Sequence, residues 1–191
     1  MILGNYSPAR GGTRALPFAV LVSLLFAAGA AAQDGPGAGP DSSGAAVEAA
    51  GGGPRVAIIL DEDARIVIET LPQDAPKTVE RFLELVEDGF YDGIRFHRVE
   101  EFLVQAGKKD HDYPGIEGEM FDQKLTHEPG MVGLARLPDD YDSGTTQFYI
   151  VKEHKPNFNG EYTLFGRVVE GMELVGSIEK NDKIKKMEII R

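Results

Sequence analysis

From about residue 55 onward, apolar and polar residues alternate or cycle in short, separable blocks. Two β-rich runs, residues 56–60 and 66–68, flank the polar break Asp61-Glu62-Asp63-Ala64, which predicts an N-terminal hairpin. The stretch DAPKTVERFLELVEDGFYDG then repeats apolar residues at helical spacing, with Val79, Phe82, Leu83 and Val86 on one face. Pro76 near its start and Gly89 after its end complete an amphipathic helix. Further strands are expected at residues 94–99, 102–105, 131–134, 147–151, 162–169 and 187–190. A short helix near 171–179 groups Leu174, Val175 and Ile178. Residues 108–128 carry little periodicity and read as a surface loop. Several strands with one early and one late helix predict a mainly β fold: a closed or nearly closed barrel whose ends the helices cover.

The preceding residues follow another pattern. Arg10 and Arg14 stand before a largely apolar run, Ala15 to Ala32, that ends in Ala30-Ala31-Ala32. This is the pattern of a signal peptide over 1–32, cleaved before Gln33. The other reading is an uncleaved anchor, since the run is near the lower limit for crossing a bilayer. Contact with a membrane is expected only in that second case. Either way the remainder is expected in an extracytoplasmic compartment, the periplasm in a bacterial cell. Residues 33–54, QDGPGAGPDSSGAAVEAAGGGP, hold almost nothing to bury and read as a flexible linker, which leaves 55–191 as one folded domain.

Composition narrows the function. With 20 basic and 31 acidic residues the formal charge is −11, and removal of residues 1–32, which hold two arginines and no acid, gives 18 against 31, or −13. Nucleic acid is therefore not an expected partner, because phosphate contacts need a basic face. No cysteine is present, so neither a disulfide framework nor a thiolate zinc site arises. The domain's serines, Ser143 and Ser177, do not lie in G-x-S-x-G, and a hydrolase elbow is not supported. Asp110-His111-Asp112 has no spaced partner and reads as a solvated loop rather than a metal site.

The stretch FHRVEEFLVQAG, residues 96–107, places an arginine and a glutamine in an otherwise strand-like apolar run. It is followed by SGTTQFYI, residues 143–150, and by NGEYTLFGRVVEGMELV, residues 159–175. These three ordered blocks, with the helix DAPKTVERFLELVEDGFYDG before them, resemble the cyclophilin-type peptidyl-prolyl isomerases. The resemblance covers essentially all of 55–191. It implies a closed antiparallel eight-stranded β-barrel capped by two α-helices, with the active groove on the outer surface of the barrel.

Carried over residue by residue, the resemblance implies that Arg98 is the catalytic guanidinium, with Gln105 assisting it. Phe102 and Leu103 line the groove, Leu103 standing where the family often has methionine. Ala135, Arg136 and Leu137 match the segment that pairs with a bound peptide through its backbone. Gln147 and Tyr149 match the family's glutamine and its pocket phenylalanine, so that a hydroxyl is added to the proline pocket. Phe158 lies in the loop beside the groove, and Tyr162 falls where many members have histidine. There are three departures. Three residues rather than four separate Arg98 from Phe102, Ala106 replaces a glycine, and Asn157-Phe158 stands where tryptophan or histidine followed by leucine is common. Cyclosporin-sensitive members resemble one another in having that tryptophan.

The implied chemistry is reasonable for these residue types. An Xaa-Pro amide rotates over about 18–20 kcal/mol and exchanges in tens to hundreds of seconds. A twisted amide nitrogen regains its lone pair, and a fixed guanidinium can donate to it there but not in the planar ground state. No metal or cofactor is expected, and the expected partners are proline-containing polypeptides met by a monomer. The alternative is a catalytically weak cyclophilin-like module that binds such segments without useful turnover. Taken singly, each residue also has a plainer reading: Arg98 as a surface ion pair with Glu100 or Glu101, Gln105 and Gln147 as barrel-surface residues, and the aromatic residues as core. His97, next to an outward Arg98, is expected to point inward as a buried neutral imidazole.

Overall fold

The computed structural model describes residues 52–62, 64–108 and 112–190. The expected signal peptide, most of the linker, and Asp110 and His111 lie outside the described residues. Gly53 N–H donates to Thr70 O at 2.9 Å, and the Thr70 N–H and hydroxyl both donate to Pro54 O, at 3.1 and 2.8 Å. These bonds tie Gly53 and Pro54 to Thr70 just ahead of Arg55.

Eight strands form a single antiparallel sheet: β1 (Arg55–Asp61), β2 (Ala64–Thr70), β3 (Arg98–Val99), β4 (Leu103–Ala106), β5 (Met131–Leu134), β6 (Phe148–Val151), β7 (Leu164–Glu170) and β8 (Lys186–Ile190). They lie in the order β3-β4-β6-β5-β7-β2-β1-β8. The sheet curls into a half-barrel whose ladder is open between β3 and β8. The segments leading into those two strands are tied by an isolated bridge, Arg95 with Lys183. Four backbone hydrogen bonds reinforce it, from Gly93 N–H to Ile184 O, Ile184 to Ile94, Phe96 to Asp182 and Asn181 to Phe96, all at 2.8–2.9 Å.

Two helices accompany the sheet, α1 (Pro76–Glu87) and α2 (Met172–Ser177). Helix α1 turns Val79, Phe82, Leu85 and Val86 into the core, where the ring of Phe82 meets Tyr91, Phe148 and Phe165 at centroid distances of 5.7, 5.7 and 4.9 Å. Leu85 takes the fully buried place that the sequence pattern gave to Leu83, which packs at the edge. The first turn of a helix leaves backbone N–H groups unpaired, and Ala75 at the N-cap offers no side chain for them. Glu119, distant in sequence, supplies the acceptor: its carboxylate takes Lys77 N–H, Thr78 N–H and the Thr78 hydroxyl at 2.9, 2.9 and 2.7 Å.

Strand β3 is much shorter than the expected strand at 94–99, and this changes the place of His97. Phe96 is fully buried and Arg98 exposed, so side chains do not alternate through 96–98. His97 is half-buried, beside a depression lined by Ile94, Arg95, Gly107 and Lys108, and is not the inward residue expected. The period-two rule holds only inside a ladder, and the ladder begins at Arg98.

Candidate functional site

Strands β4 and β6 carry two sets of side chains. Val104, Phe148 and Ile150 face the core, whereas Leu103, Tyr149 and Val151 form a second apolar cluster on the opposite face. Phe102, Met131, Ala135, Phe158 and Tyr162 pack against that second cluster. The alternation follows from strand geometry, because successive Cβ atoms point to opposite sides of the sheet.

Arg98 joins this outer face through register. It pairs directly with Gln105, which in turn pairs with Tyr149 across β4 and β6. Arg98 Nη1 donates to Gln105 Oε1 at 3.4 Å, and Gln105 Nε2 donates to Gln147 Oε1 at 3.0 Å. The Arg98 guanidinium also lies 5.8 Å from the centre of the Phe102 ring. Its ion pair with Glu100 spans 3.5 Å between side chains nearly half exposed, a contact that stabilises by no more than about 1 kcal/mol. That pair leaves the guanidinium free to turn toward a bound group.

The short turn between Arg98 and Phe102 is accommodated. Glu100 N–H donates to Leu103 O at 2.8 Å, which closes a tight turn. Phe102 remains beside the outer cluster, edge-on to Phe158 at 6.1 Å with Lys155 Nζ 4.0 Å from its ring centre. The Ala106 departure is equally benign, since its methyl faces the core and is fully buried. The following Gly107 is the position that excludes a side chain. Its φ is +112°, and a Cβ there would lie 2.6 Å from Gln147 Cα.

Ala135, Arg136 and Leu137 follow β5 outside any named strand. Ala135 N–H donates to Gln147 O and Leu137 N–H to Ser143 Oγ, both at 2.8 Å. The Arg136 side chain is clasped between two rings, 4.1 Å from the centre of Tyr141 and 4.9 Å from that of Tyr162. Arg136 also donates to Glu161 O, Leu137 O and Pro138 O at 2.8, 2.7 and 2.7 Å. Its charge is thereby fixed into one wall of the site, a role for the side chain that the sequence did not suggest.

The largest addition is His127, which no sequence argument singled out. It is fully buried, and its ring lies near-parallel to Tyr149 at 6.1 Å and edge-on to Phe158 at 5.7 Å and Tyr162 at 6.5 Å. The Tyr149 hydroxyl and His127 Nε2 are 2.9 Å apart. The hydroxyl expected in the proline pocket is thus engaged by an imidazole. Burial pushes the His127 pKa down, opposed by its hydrogen bond to Asn159, and burial pushes that of Tyr149 up. The usable signal was Tyr149 itself, since a buried phenol needs a hydrogen-bond partner.

Asn157, where cyclosporin-sensitive relatives resemble one another in carrying tryptophan, is exposed on the 3-10 turn Pro156–Phe158, while Phe158 turns toward the cluster. Ten of the eleven residues expected at the site lie on this outer face or touch residues that do, while Leu137 is exposed on the loop after β5. Among the described residues no group of three or more His, Asp or Glu side chains could hold a metal ion.

Comparison with known proteins agrees with this arrangement. The family described as cyclophilin type peptidyl-prolyl cis-trans isomerase/CLD matches residues 55–190. Peptidyl-prolyl cis-trans isomerase B of Bacillus subtilis is 36% identical over 137 residues, 69% of this chain and 94% of that protein. A peptidyl-prolyl cis-trans isomerase of Synechococcus elongatus is 33% identical over 138 residues, covering 70% of this chain and 95% of that one. A cyclophilin-type isomerase of Cryptosporidium parvum shares the fold, with a TM-score of 0.62 at 23% identity over 72% of this chain and 98% of its own. The half-barrel, its two helices and these relatives place the chain in one family: it belongs to the cyclophilin-type peptidyl-prolyl cis-trans isomerases and acts on proline-containing polypeptides.

Proposed function

We propose that the domain is exported behind a cleaved signal peptide and the 33–54 linker, and accelerates proline-limited folding of other exported proteins as a monomer. We further propose that the ring of strands is closed through the Arg95–Lys183 bridge, a reading supported by the four backbone hydrogen bonds around it.

In the proposed mechanism the pyrrolidine ring sits against Phe102, Leu103, Tyr149 and Phe158, and the flanking peptide pairs with the main chain at Arg136. Arg98 donates to the amide nitrogen as it pyramidalises. Gln105, held by Gln147, orients the guanidinium and presents its remaining N–H to the neighbouring carbonyl. Acceleration by five decades corresponds to about 7 kcal/mol. A charge-assisted hydrogen bond of about 1.5–3 kcal/mol, a second polar contact and fixed orientation approach that figure together. The single observation that carries the assignment is register: Arg98, Gln105 and Tyr149 lie directly across neighbouring strands on one face.

Exchange spectroscopy on a short Xaa-Pro peptide tests it. Arg98→Ala is expected to lower kcat/KM by about a hundredfold while the urea midpoint stays unchanged, as suits an exposed residue. Equal rates with and without the guanidinium would overturn the mechanism. Peptide binding by the wild type with no acceleration would instead favour the weak binding module.

A further inference from the structure

The position of Tyr149 is over-determined in a way that isomerisation by itself does not require. It stands opposite Gly133 in the β5–β6 register, and a Cβ on Gly133 would lie 2.3 Å from both Tyr149 Cζ and Oη. The phenol therefore lies over a bare stretch of backbone, where its hydroxyl meets His127 Nε2 at 2.9 Å.

The proton positions follow from the contacts. Asn159 Oδ1 lies 2.8 Å from the His127 backbone nitrogen, which can only donate, so that atom is the amide oxygen. The same oxygen lies 2.9 Å from His127 Nδ1, which must then carry the ring proton. A neutral imidazole protonated at Nδ1 has an acceptor at Nε2, and the Tyr149 hydroxyl donates to it. Asn159 directly follows the 3-10 turn that carries Phe158. One side chain thus ties together two walls of the groove, β6 through Tyr149 and the loop of Phe158 through Asn159.

We propose that His127 is a positioning residue of the isomerase, holding the Tyr149 and Phe158 walls at the separation that accepts the pyrrolidine ring and keeping the Tyr149 hydroxyl turned out of the proline pocket. This rests on the assignment of the groove given above. His127 touches no reacting atom and acts through Tyr149 and Asn159. A proton on Nε2 converts the acceptor into a donor, so the Tyr149 O–H must rotate away and the pocket gains polarity and a nearby charge. The groups around the ring are Tyr149 from β6, Asn159 and Phe158 from the turn, and Tyr162 before β7. Lys155 contributes a backbone N–H to His127 O at 2.9 Å and places its ammonium over Phe102. Arg136 lies beyond Tyr162, and the exposed Glu128–His154 pair flanks the segment. None of these places a carboxylate against the imidazole, so a proton gained there stays uncompensated.

The test separates KM from kcat between pH 4.5 and 8 in the full chain, its Asn159→Asp variant and its His127→Gln variant. It is joined by the ¹⁵N spectrum of the imidazole. The wild type is expected to show Nδ1 protonated and Nε2 bare at pH 7, and a KM that rises in acid while kcat changes less than twofold. Asn159→Asp sets a carboxylate against Nδ1, stabilises the imidazolium and moves the acid rise of KM up by at least one pH unit. His127→Gln removes that rise and increases KM several-fold at pH 7. An unchanged KM profile in Asn159→Asp, a proton on Nε2 in the wild type at pH 7, or an effect confined to kcat would each overturn the proposal. If His127→Gln does not fold, the Asn159→Asp profile and the spectrum still decide. If the wild-type protein fails to turn over the peptide, the groove mechanism fails by itself, and the same titrations read peptide Kd in place of KM.

Discussion

Tyr91 and Tyr149 are two buried phenols on opposite sides of the same sheet, 1% and 2% exposed, and they are satisfied in different ways. Tyr91 lies in the inner core against Phe82, Phe90 and Phe148, and its hydroxyl donates to the backbone carbonyl of Thr146 at 2.9 Å. Tyr149 lies in the outer cluster and donates to an imidazole. A backbone carbonyl accepts at every pH, whereas an imidazole accepts only while neutral. The inner face is thus built for stability, and the outer face keeps ionisable and partly exposed groups beside an apolar cluster. Both faces come from alternate residues of β4 and β6, so a one-residue slip would exchange them.

The comparison breaks most readily at the core. Phe82→Ala removes a ring in contact with three others and is expected to lower unfolding free energy by about 3–5 kcal/mol, read from the urea midpoint. Phe158→Ala, on the half-exposed outer face, is expected to lower it by about 1 kcal/mol or less. Its larger effect should fall on KM for an Xaa-Pro peptide. Similar losses of stability in the two variants would show that the faces are not energetically distinct.

A second measurement sharpens the view of the outer face. Asn157 offers neither the large ring nor the indole N–H that cyclosporin-sensitive relatives resemble one another in having, so cyclosporin is expected to bind about ten- to a hundredfold more weakly than it binds them, or about 1–3 kcal/mol. Calorimetry should show part of that affinity returning in Asn157→Trp. Tight binding by the unaltered protein would mean that the exposed turn contributes nothing to that contact.

The smallest expected effect concerns pH and stability. The pKa of His127 is lowered by burial, so the folded protein binds this proton less readily than the unfolded chain. Stability from this group is complete above the unfolded value of about 6.5 and is lost as pH falls from there through the folded value. Glu69 behaves similarly in a lower window. Its carboxyl, held by Arg167 and Arg55, lies below the usual carboxylate range, and its contribution is lost as pH falls from about 4.3 through the folded value. Urea titrations at pH 7, 5 and 3 should separate the two steps, with His127→Gln removing only the first. Tyr91 has no titrating partner, so Tyr91→Phe should shift stability equally at all three values.

Much of this was legible in the chain. Strand β5 lies where the pattern placed it, α1 begins at the proline that marked it, and the outward set Arg98, Leu103, Gln105 and Tyr149 follows from alternation in β4 and its neighbours. These features depend on residues a few positions apart, and their period is the period of the backbone itself. The expectations that moved were of a different kind. The long strand at 94–99 contracted to Arg98–Val99, and His97 left the core with it, because a strand exists only where a neighbour pairs with it.

The sequence by itself determined the helical and strand periods and the face on which Leu103 and Gln105 appear. Only the tertiary structure decided that Glu119 caps a helix some forty residues earlier, that Arg136 is clasped by Tyr141 and Tyr162, and that the Tyr149 hydroxyl belongs to His127 rather than to the pocket. Each of those is a polar group meeting its partner across a long loop. Such a partner is chosen by three-dimensional proximity and by the penalty of about 1–3 kcal/mol for leaving a buried donor or acceptor unmatched, neither of which has a period in the chain.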